Sequence, residues 1–261
     1  MRNFWIRFLS GFLYASLITI SILYSNLSFK ILITVLSILA LNEYFNLINY
    51  KNYFFFLLIL FFIWTPRNEI INDYLIISIC FFSLISSIYC TILLFFKRNF
   101  KNSKINIFFS LLHITSSFFF IIEIHNHGNI FRPLYLFLFF SSIWVNNIFA
   151  YIIGSNFGKN KILEEVSPNK TWEGFFGGLF ASLTFIYFME YYLNLFNSYW
   201  IALGIIIPVL SLIGDLLQSL NKRRKNTKDS GNLIPGHGGV YDRMDSVIYS
   251  ALYYYLFLKL I

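Results

Sequence analysis

Charge is what this sequence has least of. Only 12% of its 261 residues are Asp, Glu, Lys or Arg, about half the share usual in soluble domains, and that excludes a solvated globular domain. Cysteine is nearly absent as well. Cys80 and Cys90 lie ten positions apart in one apolar run, too far along a helix for a disulfide and unlike a metal pair, so both are expected as buried free thiols. No internal repeat, low-complexity linker or long polar stretch interrupts the chain, which excludes a repeat array or an attached soluble domain. The first apolar stretch, after Arg7, runs into Tyr24-Ser25-Asn26 with no small-x-small cleavage pattern and is expected as a retained first span.

Apolar surface is there in abundance. Hydrophobic residues make up 57% of the chain, with 33 Phe and 18 Tyr, and the mean hydropathy of +0.65 excludes a disordered or fibrous chain. The expected fold is an all-α polytopic membrane protein with about nine transmembrane helices, near 8–24, 29–48, 50–65, 74–96, 106–123, 132–153, 174–194, 198–216 and 244–261. The third is the weakest, because its strongly apolar part, Tyr53 to Trp64, is short against the roughly 20 residues a span needs. A single integral membrane domain, 1–261, is expected, with N-terminal helices in 1–130 and the motif-bearing helices and loops in 131–261.

Twelve acids against twenty bases leave a formal net charge of +8, and the surplus can be placed. With nine spans and a cytoplasmic N-terminus, the inner set is Arg2, Arg7, Lys51, Lys97, Arg98, Lys101, Lys104, Lys159, Lys161, Lys170, Lys222, Arg223, Arg224, Lys225, Lys228 and Arg243. Only Lys30, Arg67, Arg132 and Lys259 fall outside. Lys and Arg concentrate on the cytoplasmic side of short loops, so this sorting puts the loops 154–173 and 217–243 on one cytoplasmic face.

Four of the five Asp residues lie in the last fifth of the chain: Asp215, Asp229, Asp242 and Asp245. Asp215 closes an apolar run, where a carboxylate needs a partner, and on a helix it shares a face with Ser211 and Ser219. Asp242 and Asp245 are one turn apart. Purely structural roles are open to each: helix capping for Asp242 or Asp245, and an ion pair with Lys222 for Asp215. Between these acids runs Lys222-Arg223-Arg224-Lys225-Asn226-Thr227-Lys228. Pro235-Gly236-His237-Gly238-Gly239 then supplies a backbone able to approach a ligand and offer N–H groups to phosphate. His113, by contrast, sits in an apolar run and is expected in the core. Hard oxygen ligands, cations and a glycine turn within about thirty residues suit a magnesium-bound polyphosphate.

The other inner loop carries Gly154, Gly158, Lys159 and Lys161 ahead of Ser167-Pro168-Asn169-Lys170-Thr171-Trp172-Glu173-Gly174. Ser167-Pro168 reads as a turn and Thr171 to Gly174 as a helix start. A capping threonine beside an interfacial tryptophan is one reading; an anion site at Lys170 and the helix N-terminus is the other.

From Ser219 to Asp245 the residue types and spacing closely resemble the signature of phosphatidate cytidylyltransferases, also called CDP-diacylglycerol synthases. Ser167 to Gly174 resembles a second motif of that family, and Ala150-Tyr151 with Gly154 a third. The motif-bearing resemblance covers about 143–250; the earlier spans match in hydropathy and in an acid of the second span, Glu43. It implies a magnesium-dependent site, with room for a second cation, facing the cytoplasm of a bacterial inner membrane. There CTP and phosphatidate would give CDP-diacylglycerol and pyrophosphate.

The resemblance implies Asp215 and Asp242 as metal ligands, Asp229 and Asp245 as auxiliary ligands or orienters, and Ser219 as a hydroxyl ligand. Lys222, Arg223, Lys228 and Arg243 would bind phosphates, and His237 would contact phosphate or order its loop. Asn147, Tyr151, Ser167, Lys170, Thr171, Gly236, Gly238 and Gly239 complete the substrate-binding set. Arg224 and Lys225 are left as membrane-facing charge. Glu43 either lines the same cavity or is a hydrogen-bonded structural acid.

The expected partners are CTP, phosphatidate and membrane lipids, with no nucleic acid and with a homodimer left open. The sequence departs from the family pattern at Asn147, where an Asp usually stands, and more mildly at Gln218 and Asn221. Two other readings share parts of this pattern: a CTP-dependent lipid-alcohol or polyprenol kinase, and an anionic-solute transporter.

Overall fold

The structure, a computed structural model, describes residues 2–65, 73–95, 104–126, 131–193, 199–236 and 238–260. Among these residues are nine helices: α1 (Arg2–Tyr24), α2 (Asn26–Ile48), α3 (Tyr53–Trp64), α4 (Asp73–Phe95), α5 (Lys104–His125), α6 (Pro133–Phe157), α7 (Trp172–Leu193), α8 (Tyr199–Arg224) and α9 (Tyr241–Leu260). Each grows from one of the nine apolar runs. Five of them, α2, α4, α5, α6 and α8, are long and apolar enough to cross a membrane. The 12 residues of α3 make a rod of about 18 Å against a hydrocarbon core of about 30 Å, so α3 is the short member of the set.

Contacts at the two ends of the bundle set the helix directions. At one end Ser10 of α1 donates to the Pro235 carbonyl at 3.0 Å, and Lys225, just past α8, donates to the last turn of α2 at the Asn46 carbonyl and, at 3.2 Å, to Asn49 Oδ1. At the other end His125 of α5 donates to the Ile22 carbonyl of α1 at 3.1 Å, and Tyr254 of α9 donates to the Tyr135 carbonyl of α6 at 2.8 Å. The two polar loops therefore lie at the same end.

The aromatic excess divides by position. From Ile114 to His125 every residue of α5 is buried, as befits a central helix surrounded by others. Phe12, Phe54, Phe81, Phe180 and Tyr191 are more than half exposed on the outside of the bundle. An apolar surface of this extent belongs against lipid, and the protein is an integral membrane protein. Cys80 and Cys90 are free thiols, Cys90 buried and Cys80 half-buried, and His113 is in the core at 5% exposure.

Helices α6 and α7 approach through small residues. A Cβ on Gly174 would stand 2.7 Å from the Ala150 carbonyl, and one on Gly178 would stand 2.5 Å from Asn146 Oδ1. Spacing of this kind lets membrane helices pack backbone to backbone. It holds the start of α7 against the end of α6, and Gly158 closes on Gly154 and Thr171 in the same contact.

The described residues form an all-α bundle, as expected, with one small addition: β1 (Lys161–Leu163) and β2 (Ser167–Thr171) pair antiparallel, Lys161 opposite Thr171 and Leu163 opposite Ser167. Two expectations need correction. The turn is Glu164-Glu165-Val166, closed by Val166 N–H to Leu163 O at 3.2 Å, and not Ser167-Pro168. Val166 is buried against Leu94 and Leu216 and anchors the tip, while Pro168 is tolerated because a two-stranded ribbon has only edges. Lastly, the basic cluster is not loop from Leu217 onward. Buried Gln218 and Ser219 continue α8 to Arg224, and cations are favoured in a last helical turn.

Candidate active site

One face of α8 carries Asp215, Ser219 and Lys222. Lys170 of β2 forms an ion pair with Asp215 Oδ2, and Ser219 Oγ donates to Asp215 Oδ1 at 3.4 Å. Gly214, without a side chain, lets α9 close in: a Cβ there would stand 2.7 Å from the Asp245 carbonyl. Asp245 is thereby set within electrostatic reach of Asp215, Lys170 and Arg243, and its Oδ1 accepts the Ser246 N–H at 2.6 Å. The Asp215 side chain is 33% exposed and that of Lys170 24%, so a ligand from solution can reach both. Asp215 does not pair with Lys222. The hairpin delivers Lys170 to Asp215, and α9 delivers another acid to Lys222.

That acid is Asp242, whose side chain is 4% exposed. Its Oδ1 accepts from Lys222 Nζ at 2.8 Å, and its Oδ2 accepts from Ser230 N–H at 2.8 Å and Gly239 N–H at 3.0 Å. Behind it stands Glu43 of α2, 4% exposed, which accepts from Val240 N–H at 3.0 Å and Tyr241 N–H at 2.9 Å. These are N–H groups at the start of α9, which no intrahelical carbonyl can satisfy and which favour an anion. Ser230 Oγ lies 2.7 Å from Glu43 Oε2 and 3.0 Å from Asp242 Oδ2. One hydroxyl proton is shared between two carboxylates.

The glycines are what allow the loop to close. Gly236 has φ +74° and Gly238 φ +85°, a region L side chains rarely adopt. A Cβ on Gly239 would fall 2.0 Å from Glu43 Oε2, and one on Gly238 2.6 Å from Asp242 Oδ2. The N–H groups of Gly239, Val240 and Tyr241 thus hold the chain's own carboxylates, and the phosphate contacts expected of the glycine loop do not come from them. Glu43 is a hydrogen-bonded structural acid, the second of its two readings, and it shapes this loop.

Asn147 of α6 sits beside both helices. Its Oδ1 accepts from Ser211 Oγ at 3.0 Å and from Asn146 Nδ2 at 3.0 Å, its Nδ2 donates to Ser246 Oγ at 3.4 Å, and Ser211 and Ser246 share a 2.8 Å hydrogen bond. Of its two expected neighbours, Asp215 keeps Ser219 and loses Ser211 to this uncharged cluster. Tyr151, one turn beyond Asn147, is 74% exposed.

The remaining candidates are dispersed around the rim. Arg223 Nε donates to the Val166 carbonyl at 3.3 Å and ties the hairpin tip to α8. Lys228, Asp229 and Arg243 are exposed, with Asp229 Oδ1 flanking Gly238 at 3.4 Å from the position a Cβ would take. Thr171 is buried and caps α7, its Oγ1 accepting the Gly174 N–H at 3.2 Å; Ser167 serves the hairpin. Glu173 accepts the N–H groups of Lys159 and Asn160 at 3.1 Å and 3.2 Å, and fixes the strand's approach. His237 lies outside the described residues.

Arg224 and Lys225 are not membrane-facing. Arg224 turns inward beside Asn221, and Lys225 caps α2 as described. Ser230 and Ser246 were not signalled by the sequence, because a serine in a polar loop or on an apolar helix carries no pattern of its own.

Among the described residues no three His, Cys, Asp or Glu side chains gather into a metal cluster. Magnesium does not require one: it commonly takes one or two carboxylates and keeps waters and substrate phosphates for the rest. Asp215 and Asp245, carboxylates on facing helices with a lysine ammonium at hand, fit that mode. Asp242 fits it less well, since both its oxygens are taken by Lys222, Ser230 and Gly239.

This arrangement has counterparts. The chain is 39% identical over 142 residues to the phosphatidate cytidylyltransferase of Staphylococcus aureus strain COL, covering 54% of this chain and 53% of that protein. It is 42% identical over 123 residues to that of Aquifex aeolicus (47% and 46%), and 39% over 117 residues to that of Staphylococcus epidermidis strain ATCC 12228 (44% and 45%). The matched stretch spans about half the length of these curated relatives. The sequence model of the cytidylyltransferase family does not stop at that half: it matches from residue 5 to residue 261, and the chain belongs to that family.

Proposed function

We propose that the protein transfers a cytidylyl group from CTP to phosphatidate, forming CDP-diacylglycerol and releasing pyrophosphate. The observation that carries this reading is the pair of lysine–aspartate contacts side by side on α8. Lys170–Asp215 comes from one polar loop and Lys222–Asp242 from the other, both at the same end of the bundle. Membership of the cytidylyltransferase family and relatives named phosphatidate cytidylyltransferase support the choice of reaction and substrates.

In the reaction, an oxygen of the phosphatidate phosphate attacks the α-phosphorus of CTP, the bond to the β-phosphate breaks, and pyrophosphate leaves with its electron pair. The attacking phosphate is already ionised, so no general base is needed. The obstacle is that two anions must meet, and preorganised cations offset their repulsion. Lys170 and Lys222 stand about 10 Å apart along the face of α8 if placed by the residues they pair with or belong to, a span suited to a polyphosphate. Arg223, Lys228 and Arg243 border the same end as exposed cations.

Magnesium, held by Asp215 and Asp245, would supply charge neutralisation to the triphosphate. Asp242 has a different part: it fixes Lys222 and the loop 230–239. The proposed topology has the N-terminus and both polar loops in the cytoplasm, about nine traversals with α3 the short one, and a bacterial cytoplasmic membrane around them. The sixteen-to-four sorting of Lys and Arg supports this orientation.

Purified protein in detergent, given phosphatidate, magnesium and CTP labelled in the base, is expected to form a labelled CDP-lipid and pyrophosphate. Transfer of the γ-phosphate with release of CDP would replace this reading with a lipid kinase.

A further inference from the structure

A small cavity, apolar over most of its lining but carrying a few polar groups, lies on the opposite side of α8. Arg224 is nine residues from Asp215, two and a half helical turns, so it points away from the aspartate–lysine face. It lines a cavity between α4, α5, α8 and α9 together with Ser110, His113, Asn221 and Tyr241, the rest of the wall being mostly aliphatic. Arg224 Nη1 donates to Asn221 Oδ1 at 3.2 Å, which orients the guanidinium along the wall. Ser110 and His113 share one face of α5 at i, i+3.

His113 is the telling member. It is 95% buried, being 5% exposed, and neither ring nitrogen has a hydrogen-bond partner. A buried imidazole left without partners on both nitrogens carries a desolvation cost that native structures rarely leave uncompensated. Its ring packs edge-on to Tyr249 at 5.4 Å and lines the cavity.

The chemistry of the wall selects the ligand. Among the described lining residues are one permanent cation, an amide, an imidazole, hydroxyls and no carboxylate. Guanidinium supported by neutral donors is suited to a phosphate oxyanion. The position is apt as well: Asn221 and Arg224 belong to the last turn of α8, at the polar-loop end of the bundle. Basic pockets between membrane helices at that level accept lipid headgroups.

We infer that the cavity formed by Ser110, His113, Asn221 and Arg224 binds a phosphate group, brought either by a phospholipid headgroup or by free phosphate, at a site separate from that of Asp215 and Lys222. Tyr241, which lines the cavity, precedes Asp242 in the chain, so an occupant would bear on the start of α9.

The test uses the full chain in dodecyl maltoside free of phospholipid, following the thermal midpoint. Inorganic phosphate is titrated in one arm and phosphatidylglycerol in mixed micelles in the other. The expected result is a concentration-dependent rise in midpoint in wild type and in Lys222→Gln alike. Apparent affinity should fall about tenfold or more in Arg224→Gln and in His113→Leu, the scale of one lost charge-assisted or buried hydrogen bond. A response to inorganic phosphate assigns a soluble source; a response to phosphatidylglycerol alone assigns the lipid.

No rise in either arm overturns the proposal, as does a rise left intact in both cavity variants or removed by Lys222→Gln. Should Arg224→Gln not fold, His113→Leu carries the test. A plain core histidine would make that variant more stable and leave phosphate affinity unchanged, which also overturns it. The Lys222→Gln control keeps this outcome independent of the cytidylyltransferase reading.

Discussion

Two carboxylates on neighbouring helices, Asp215 and Asp242, have the same chemistry and opposite surroundings. Asp242 is enclosed, with a lysine ammonium on one oxygen and two backbone N–H groups on the other. Asp215 is a third exposed, with Lys170 on one oxygen and a long hydrogen bond from Ser219 on the other. The difference separates an acid that is held from one that is open to a ligand. A fully satisfied buried acid is costly to disturb and so keeps its neighbours in place, while a half-open one can exchange its partner for a ligand.

The sharpest test of that contrast is Asp215→Asn. Turnover is expected to fall roughly 10²–10³-fold, the scale for loss of one electrostatic stabiliser, while the thermal midpoint stays near wild type. Asp242→Asn should instead lose both, because it strands Lys222: about 3 kcal/mol of stability is expected to go, read as a lower midpoint and as faster proteolysis of the loop 225–240. Equal stability losses in the two variants would erase the distinction.

Next in size is Gly239→Ala. With a Cβ position 2.0 Å from Glu43 Oε2, the loop must shift, and a loss of about 1–3 kcal/mol is expected; a midpoint equal to that of wild type would mean that the loop is not pinned there. Glu43→Gln keeps the shape and removes the charge at the start of α9, with an expected cost of about 1–2 kcal/mol and a smaller effect on rate than Asp215→Asn. The smallest change expected is from Asn147→Asp. It adds a charge beside Ser211 and Ser246 and should raise magnesium affinity a few-fold, measured as the cation concentration for half-maximal rate; an unchanged value would detach Asn147 from the metal's surroundings.

The positions of the helices were legible because an apolar run of membrane length has few other solutions. The hairpin was not. Ser167-Pro-Asn-Lys-Thr171 has no alternating apolar pattern, and its pairing depends on Val166 finding Leu94 and Leu216, which are distant in sequence. The extension of α8 was hidden for a related reason: a run of lysine and arginine reads as loop until buried Gln218 and Ser219 place it on a helix. Motif spacing singled out Asp215, Lys222, Asp242 and Asp245, but not their partners. Lys170–Asp215 and Glu43–Val240 join residues 45 and 197 positions apart, and no local pattern encodes such a match.

Glu43 draws its wider meaning from where it sits. It belongs to the second helix, far from every recognisable motif, and yet the glycine loop is folded around its carboxylate. A fragment starting at residue 131 would contain the whole signature and would still be missing the counter-charge that shapes it. The early helices are therefore a built-in template for the late ones, and the order of synthesis suits this: α2 is already in the membrane, acid in place, when the loop that needs it emerges.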